Sequence, residues 1–391
     1  MSENRILTSH VGSLVRPPHF AALLKQRARG EPVENFDAAL TSAVREVVKR
    51  QVEVGIDIVS DGEFGKGIGW EQYVIERLSG FSAPNPGAPD AERAVPPTGD
   101  VARFADFYAE LLQKEEYLER PFPCTGPISY TGQAALQRDI SNLRTAVSAA
   151  KAFAGFLPVV APASATAMSP NEYYRSDEEY IYATAEALRV EYQTILASGL
   201  LVQIDDAHLP FMYDQMVPAA PEQQYRRWAE LRIDALNHAL RGLDASRIRY
   251  HICWGSWNGP HTGDVPLAKI VDLLLRLNVG GYAIEAANAR HEHEWKVWRE
   301  VKLPEGRKLM PGVVSHQTNV VEHPELVAER IVRFAHVVGR DNVIAGTDCG
   351  FAQGPFVRRV HESIMWSKLE SLVQGAQLAT AELWGRKSSA A

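Results

Sequence analysis

Short apolar, β-branched runs alternate with longer stretches of helical periodicity along most of the chain. The runs over 6–11, 56–60, 157–161, 201–205, 248–253, 281–285, 309–314 and 343–347 predict strands. Between them, 36–54, 177–198, 222–241, 267–277 and 325–338 predict helices, and in the last Leu326, Ile331, Phe334 and Val338 recur near helical spacing. Alternation of this kind builds successive βαβ units around a parallel sheet. Eight strands in one chain favour closure into a single (β/α)8 TIM barrel over an open doubly wound sheet, which is the alternative. One stretch breaks the rhythm. Residues 82–98 are rich in Pro, Ala and Gly and match no regular element, and 121–130 reads as an extra extended segment. The expectation is one barrel domain over 1–391, with 81–131 inserted between the second and third strands as an excursion over the barrel mouth.

Composition narrows the class. The chain has 391 residues, 46% hydrophobic and 23% charged, a globular balance that excludes disorder and coiled coil. A chain of this length buries a large core without covalent staples. Its net charge of −7, from 41 basic and 48 acidic residues, argues against a nucleic-acid or anionic-membrane surface. No apolar run approaches the ~20 residues that span a bilayer, and the N-terminus lacks a signal-peptide core. A cytoplasmic location is therefore expected. The three cysteines, Cys124, Cys253 and Cys349, are too few and too scattered for a disulfide framework, which leaves their purpose open.

Function in a barrel of this kind gathers at the carboxyl ends of the strands. Those ends carry His10 and Ser13, Asp61 and Glu63, Ser164, Asp205 and Asp206, His251 and Cys253, Glu285, Ser315 and His316, and Asp348 and Cys349. His251 and Cys253 are one residue apart, so on a strand both point to one face. A thiolate beside an imidazole suits Zn²⁺. Barrel closure brings Cys349 and Glu285 toward the same axis, giving a candidate set of His251, Cys253, Glu285 and Cys349, with the carboxylate the ligand an incoming thiol displaces. The alternative is two small buried hydrophobes and a satisfied core histidine.

Six segments in order carry a family resemblance: HVGSLVRP at 10–17, VSDGEFGKG at 59–67, VQIDDAHL at 202–209, YHICWG at 250–255, AIEAANAR at 283–290 and GTDCGF at 346–351. The chain resembles the C-terminal catalytic barrel of cobalamin-independent methionine synthase, and most of all its short single-barrel relatives. The resemblance implies zinc on His251, Cys253, Glu285 and Cys349, and transfer of a methyl group from a methylfolate-type donor to homocysteine, giving methionine. It implies that Ser13, Glu63 and Asp205 hold the amino-acid part of homocysteine. It also implies that His316 assists proton delivery to the leaving group, so that His316 and Asp205 are the candidate catalytic residues. Chemistry supports the thiol reading separately, since a sulfur-rich site suits another sulfur better than it suits water. Helix capping is the alternative for Ser13, Glu63 and Asp205, and a satisfied loop histidine for His316.

The departures bear on the donor. The family's second carboxylate is here Asp206, one methylene shorter; PASA at 162–165 lacks the family's tryptophan; and CTGP at 124–127 only echoes its Arg-x-Pro-Pro run. The thiol half looks kept and the donor half rebuilt. Epoxide or alkyl transfer to another thiol such as coenzyme M, as in the related epoxyalkane:coenzyme M transferases, is therefore an alternative. A zinc-hydroxide lyase or hydrolase using His316 as base, and a structural zinc site in a non-catalytic barrel, are two more. Expected partners are a small-molecule thiol and a methyl or alkyl donor, without nucleic acid or membrane, and with a homo-oligomer left open. Gly65, Gly67 and Gly69 match no phosphate-loop spacing and predict a flexible loop over the pocket. The HEHE run at 291–294 predicts a solvated helical turn, Cys124 has no assigned role, and Trp70, Tyr73, Trp254 and Trp257 predict pocket lining or mouth packing.

Overall fold

In the computed structural model the strand–helix alternation closes on itself. The structure describes residues 4–67, 69, 72–82, 99–114, 122–167, 169–217, 219–353 and 357–385. The eight strands of the barrel are β1 (Leu7–Thr8), β2 (Ile58–Ser60), β3 (Ala154–Val160), β4 (Leu201–Asp206), β5 (Ile248–Ile252), β6 (Gly281–Ile284), β7 (Lys308–Val314) and β8 (Ile344–Thr347). Neighbouring strands pair in parallel from β2 through β8 to β1. A parallel bridge from Ser9 to Ile58 joins the two ends. The fold is a (β/α)8 barrel, as the periodicity predicts. The strands are short, so several expected bounds contract, most of all 6–11 to β1.

Helices cover the outside because each has one apolar face. Helix Phe36–Val54 buries Leu40, Val44, Val47 and Val48 and ends at Gly55, φ 103°, a left-handed cap that glycine adopts without a Cβ clash. Helix Pro324–Val338 starts with proline in its first turn and with the His323 side chain accepting from the Glu325 amide. The helix expected over 267–277 is instead two short turns, Leu267–Lys269 and Val271–Leu274, with Ile270 at φ −128° between them. There the β-branched Ile270 leaves helical geometry and periodicity alone overstates the element.

Strand parity arms the barrel interior. On β5, Arg249, His251 and then Cys253 share one face, while the opposite-facing Tyr250 donates its hydroxyl to Asp206 Oδ2 at 3.0 Å. Register places Asp205 beside His251 across the β4–β5 pair. Below this level, Arg249 donates to Ser9 Oγ at 3.0 Å and to the His10 carbonyl at 3.1 Å, and Gln203 donates to the Val11 carbonyl, so polar groups fill the lower lumen.

Between β2 and β3 the chain forms the turn Gln72–Arg77 and the helices Gly99–Arg103 and Ala105–Lys114. These reach the β5 end of the barrel: the Thr262 amide donates to Asp100 at 2.6 Å, and Trp257 Nε1 donates to Tyr108 Oη at 3.2 Å. In the expected extended segment, Cys124 bridges Phe81 and Asn171, and Tyr130 bridges Leu78. The Pro-rich residues 83–98, Trp70 and the tail from Lys387 lie outside the described residues. No helix among the described residues is long and apolar enough to cross a membrane.

Candidate metal and acceptor site

β5 and the turn after β8 bring three of the expected ligands together. A ligand atom from each of His251, Cys253 and Cys349 lies within 4.8 Å of the other two, and the two sulfurs are 3.2 Å apart. All three side chains are buried. Neither ring nitrogen of His251 makes a well-aligned hydrogen bond among the described residues, the Ala283 backbone being the one polar neighbour that acts on the ring, a costly state for a buried polar ring. Burial, with the Arg249 charge adding, holds that imidazole at about 3, so it presents a neutral ring with a lone pair. Its hydrogen bond with Cys349, together with burial, pushes the Cys253 thiol well up. Cys349 is pulled down by the same hydrogen bond and pulled harder up by burial and Glu285. Two buried thiols this close do not both ionise without a cation, and a bound soft cation reverses both directions. The residues present therefore fit a metal of zinc type.

Glu285, the fourth expected ligand, is grouped differently. Its carboxylate lies within 4.8 Å of ligand atoms of His316 and Asp348. It accepts from the Trp254 amide at 2.9 Å and from Asn288 Nδ2 at 2.7 Å. Burial first, then the neighbouring Cys253 and Asp348, raises Glu285 well above the usual carboxylate range. Asp348 accepts from the amides of Ala286 and Ala287 at 2.7 and 2.8 Å, yet burial still lifts it to about 6. It reaches those amides over Gly312, where a Cβ would collide with its carboxylate and where the β7–β8 register shifts. His316 is fully buried, neither ring nitrogen has a partner among the described residues, and burial, with Arg359 adding, holds it well below its ordinary value. Two buried clusters thus stand side by side, sulfur–imidazole and carboxylate–imidazole.

The wall beside them comes from β1, β2 and β4. Ser13 is buried and its hydroxyl donates to the Ala352 carbonyl, so that hydroxyl is already engaged. Glu63 has φ 61°, a left-handed conformation that costs a side-chain-bearing residue about 1 kcal/mol or more. The Glu63 amide donates to Asp61 Oδ1 at 2.9 Å, and Arg16 donates to the Glu63 carbonyl at 2.6 Å; these contacts hold the turn. Gly12, at φ 136°, makes room for it, since a Cβ there would come within 2.8 Å of Glu63 Oε1. Asp205 Oδ1 accepts from Gln203 at 2.6 Å, and burial raises the carboxyl well above its ordinary range against the pull of Lys66. Asp206 points away. It accepts from Ser164 Oγ at 2.9 Å, from the Leu209 amide at 3.1 Å and from Tyr250. Hydrogen bonds to charged groups contribute about 1.5–3 kcal/mol, so Tyr250→Phe is expected to destabilise the protein by about that much in urea titration.

Several sequence expectations change here. The turn at 291–294 is not solvated as a whole. His291 is buried, with Nδ1 2.9 Å from Glu294 and Nε2 3.0 Å from Asp264. Against burial, those two hydrogen bonds lift it to about 10. The spacing of 291 and 294 puts both on one helical face, a signal that the alternation of HEHE hid. Trp254 packs rather than lining a pocket: its ring lies 4.4 Å from His291 and its Nε1 donates to the Val265 carbonyl at 2.8 Å. Cys124 is a buried core thiol whose Sγ lies 3.5 Å from the Gly126 carbonyl. Lys66, in the loop expected to be flexible, is buried beside Glu63. Arg249 and Asn288 also escaped notice. An arginine at the inward parity of β5, two residues before His251, was a readable signal, and Asn288 carried none.

Fold and site define a barrel enzyme with a buried, sulfur-rich candidate metal centre at the carboxyl ends of its strands. The chain belongs to the cobalamin-independent synthase family, whose catalytic domain matches residues 160–377. It is 24% identical over 420 residues to the 2-hydroxypropyl-CoM lyase of Xanthobacter autotrophicus, covering 98% of each chain. It is 23% identical over 381 residues to the methionine synthase of Thermococcus kodakarensis, covering 96% of this chain and 94% of that one. Its fold matches a B12-independent methionine synthase from Shewanella sp. W3-18-1, solved in complex with selenomethionine, with a TM-score of 0.69, 20% identity and coverage of 97% and 99%.

Proposed function

We propose that this protein transfers a methyl or other small alkyl group to a thiol, with zinc held by His251, Cys253 and Cys349 and with Glu285 as the exchangeable fourth ligand. The observation that carries the reading is the pair of buried sulfurs 3.2 Å apart, both within 4.8 Å of a buried His251 ring nitrogen. When bound, zinc lowers the pKa of an acceptor thiol so that it reacts as the thiolate at neutral pH. The chain's own groups do the rest. Trp254 and Asn288 orient the Glu285 carboxylate. His316, neutral and without a hydrogen-bond partner at either ring nitrogen among the described residues, is the group to take or return a proton at the donor side. Glu63 and Asp205 line the acceptor side, and Ser13 closes it from β1. Residues 81–131 are read as an insertion between β2 and β3, of which the described residues 99–114 reach the mouth through the contacts of Asp100 with Thr262 and of Tyr108 with Trp257.

The named relatives include methionine synthases and a 2-hydroxypropyl-CoM lyase, and both names denote a thioether, the product of thiol alkylation. Homocysteine with a methylfolate-type donor and coenzyme M with an epoxide are accordingly the first substrate pairs to test. Titrating the zinc-loaded protein with each thiol should release about one proton per site as the thiolate forms. The alkyl-transfer reading is abandoned if neither thiol releases a proton or changes the metal's environment.

A further inference from the structure

Beside the sulfur pair stands a second group of ligand types that the zinc reading uses only in part. Glu285 after β6, His316 after β7 and Asp348 after β8 each place a ligand atom within 4.8 Å of the other two. Their exposures are 2%, 0% and 0%. Three of their polar atoms have no hydrogen-bond partner among the described residues: both ring nitrogens of His316 and Asp348 Oδ2. The bonds that do exist reach other oxygens. Asp348 Oδ1 accepts from the Ala286 and Ala287 amides, and Glu285 accepts from the Trp254 amide and Asn288 Nδ2. These bonds orient both carboxylates and leave Asp348 Oδ2 and the His316 ring unengaged.

Two carboxylates this close and this buried repel each other strongly when ionised. The cations on adjoining elements are engaged elsewhere, His291 by Asp264 and Glu294 at 3.0 and 2.9 Å and Arg330 by Glu292 at 3.0 Å. Nor do the three groups satisfy one another, since no hydrogen bond joins His316 to either carboxylate. A divalent cation with ligands at about 2.0–2.2 Å keeps its ligand atoms roughly 3–4.4 Å apart. The group meets that spacing with little movement. Its donor set is oxygen and imidazole without sulfur, which suits a harder ion than the cysteine pair does.

We propose that Glu285, His316 and Asp348 hold a second divalent cation, of manganese type, next to the zinc. The inference rests on the zinc reading above and gives Glu285 a destination. When a thiol takes its place on zinc, the carboxylate stays buried, and the second cation supplies its counter-charge there. Ligation through one His316 nitrogen leaves the other as an N–H, still able to return a proton at the donor side.

The full-length protein, loaded with one zinc per chain, is titrated with Mn²⁺, and free Mn²⁺ is read from its electron paramagnetic resonance signal. Zinc keeps the sulfur site, because Mn²⁺ is the weakest binder of the divalent first-row series. We expect one Mn²⁺ per chain with a dissociation constant of about 100 µM or below. Asp348→Asn retains an oxygen for the two amides, and it should weaken Mn²⁺ at least about tenfold while keeping one zinc. His316→Gln should do the same. Cys349→Ser should do the reverse, losing zinc and keeping Mn²⁺. A wild-type protein that holds its zinc and binds no Mn²⁺ overturns the second site and leaves thiol alkylation standing. Undiminished Mn²⁺ binding by both Asp348→Asn and His316→Gln overturns the assignment to these residues. A wild-type protein that retains neither ion overturns both readings. The wild-type titration decides the matter even if the variants do not fold.

Discussion

Replacing Cys349 by serine is expected to weaken zinc binding by on the order of a hundredfold or more, with thiol-induced proton release lost alongside it. Loss of a mere orienting partner of a metal ligand costs about 10–100-fold in affinity, and loss of a thiolate ligand should exceed that. The geometry makes the site unforgiving. Cys253 and Cys349 come from strand ends 96 positions apart in sequence, yet their sulfurs sit 3.2 Å from each other, so both thiolates reach one ion. Serine keeps the shape and removes the soft, ionisable sulfur. Metal content after dialysis against a weak chelator reads the result directly. Cys124→Ser is the control and should keep its zinc, because Cys124 is buried against the Gly126 carbonyl in the 122–130 segment, apart from the cluster. A Cys349→Ser protein that retains one tightly held zinc would remove Cys349 from the ligand set.

The largest stability effect is expected at Arg77. Its guanidinium is 2.9 Å from Glu191 and 2.5 Å from Asp139, with side-chain exposures of 8%, 0% and 9% for the three residues. Tyr73 and Tyr130 donate their hydroxyls to Glu191 at 3.3 and 3.2 Å. Breaking a buried pair by removing one partner costs about 3–5 kcal/mol, because the remaining charge stays desolvated. Arg77→Met leaves Glu191 without a cation while Asp139 keeps Arg138 at 3.1 Å, so the unfolding free energy read by urea titration should fall by about that range. A loss below about 1 kcal/mol would mean that water or another cation reaches the carboxylates. The network also bears on the site, since it fixes the Tyr73 ring that lies over Lys66.

Much of the barrel is legible in the chain because the relevant information is local. Alternation on β5 puts His251 and Cys253 on one face whatever the rest of the protein does. In helix Pro324–Val338 the apolar stripe marks Ile331 and Phe334 on the buried face but misses at Leu326, which is exposed, and Gly55 and Pro324 mark helix ends by their backbone preferences. Motif order then points to Cys349 and Glu285 as companions. Ile270 shows the limit of such reading, because a helical pattern was interrupted where one residue left helical geometry.

What sequence by itself determined is the fold class, the strands, and the residue types gathered at their carboxyl ends. The tertiary structure decided which of those side chains meet. It set Glu285 with His316 and Asp348 beside the sulfur cluster, turned Asp206 outward to Tyr250, buried His291 between Asp264 and Glu294, and placed Lys66 beside Glu63. The physical reason is range. Periodicity and capping act over a few residues, whereas each of these meetings depends on barrel register, on a bulge between Gly312 and Val314, or on a strained turn at Glu63. Those are set only when the sheet closes and the core packs around it.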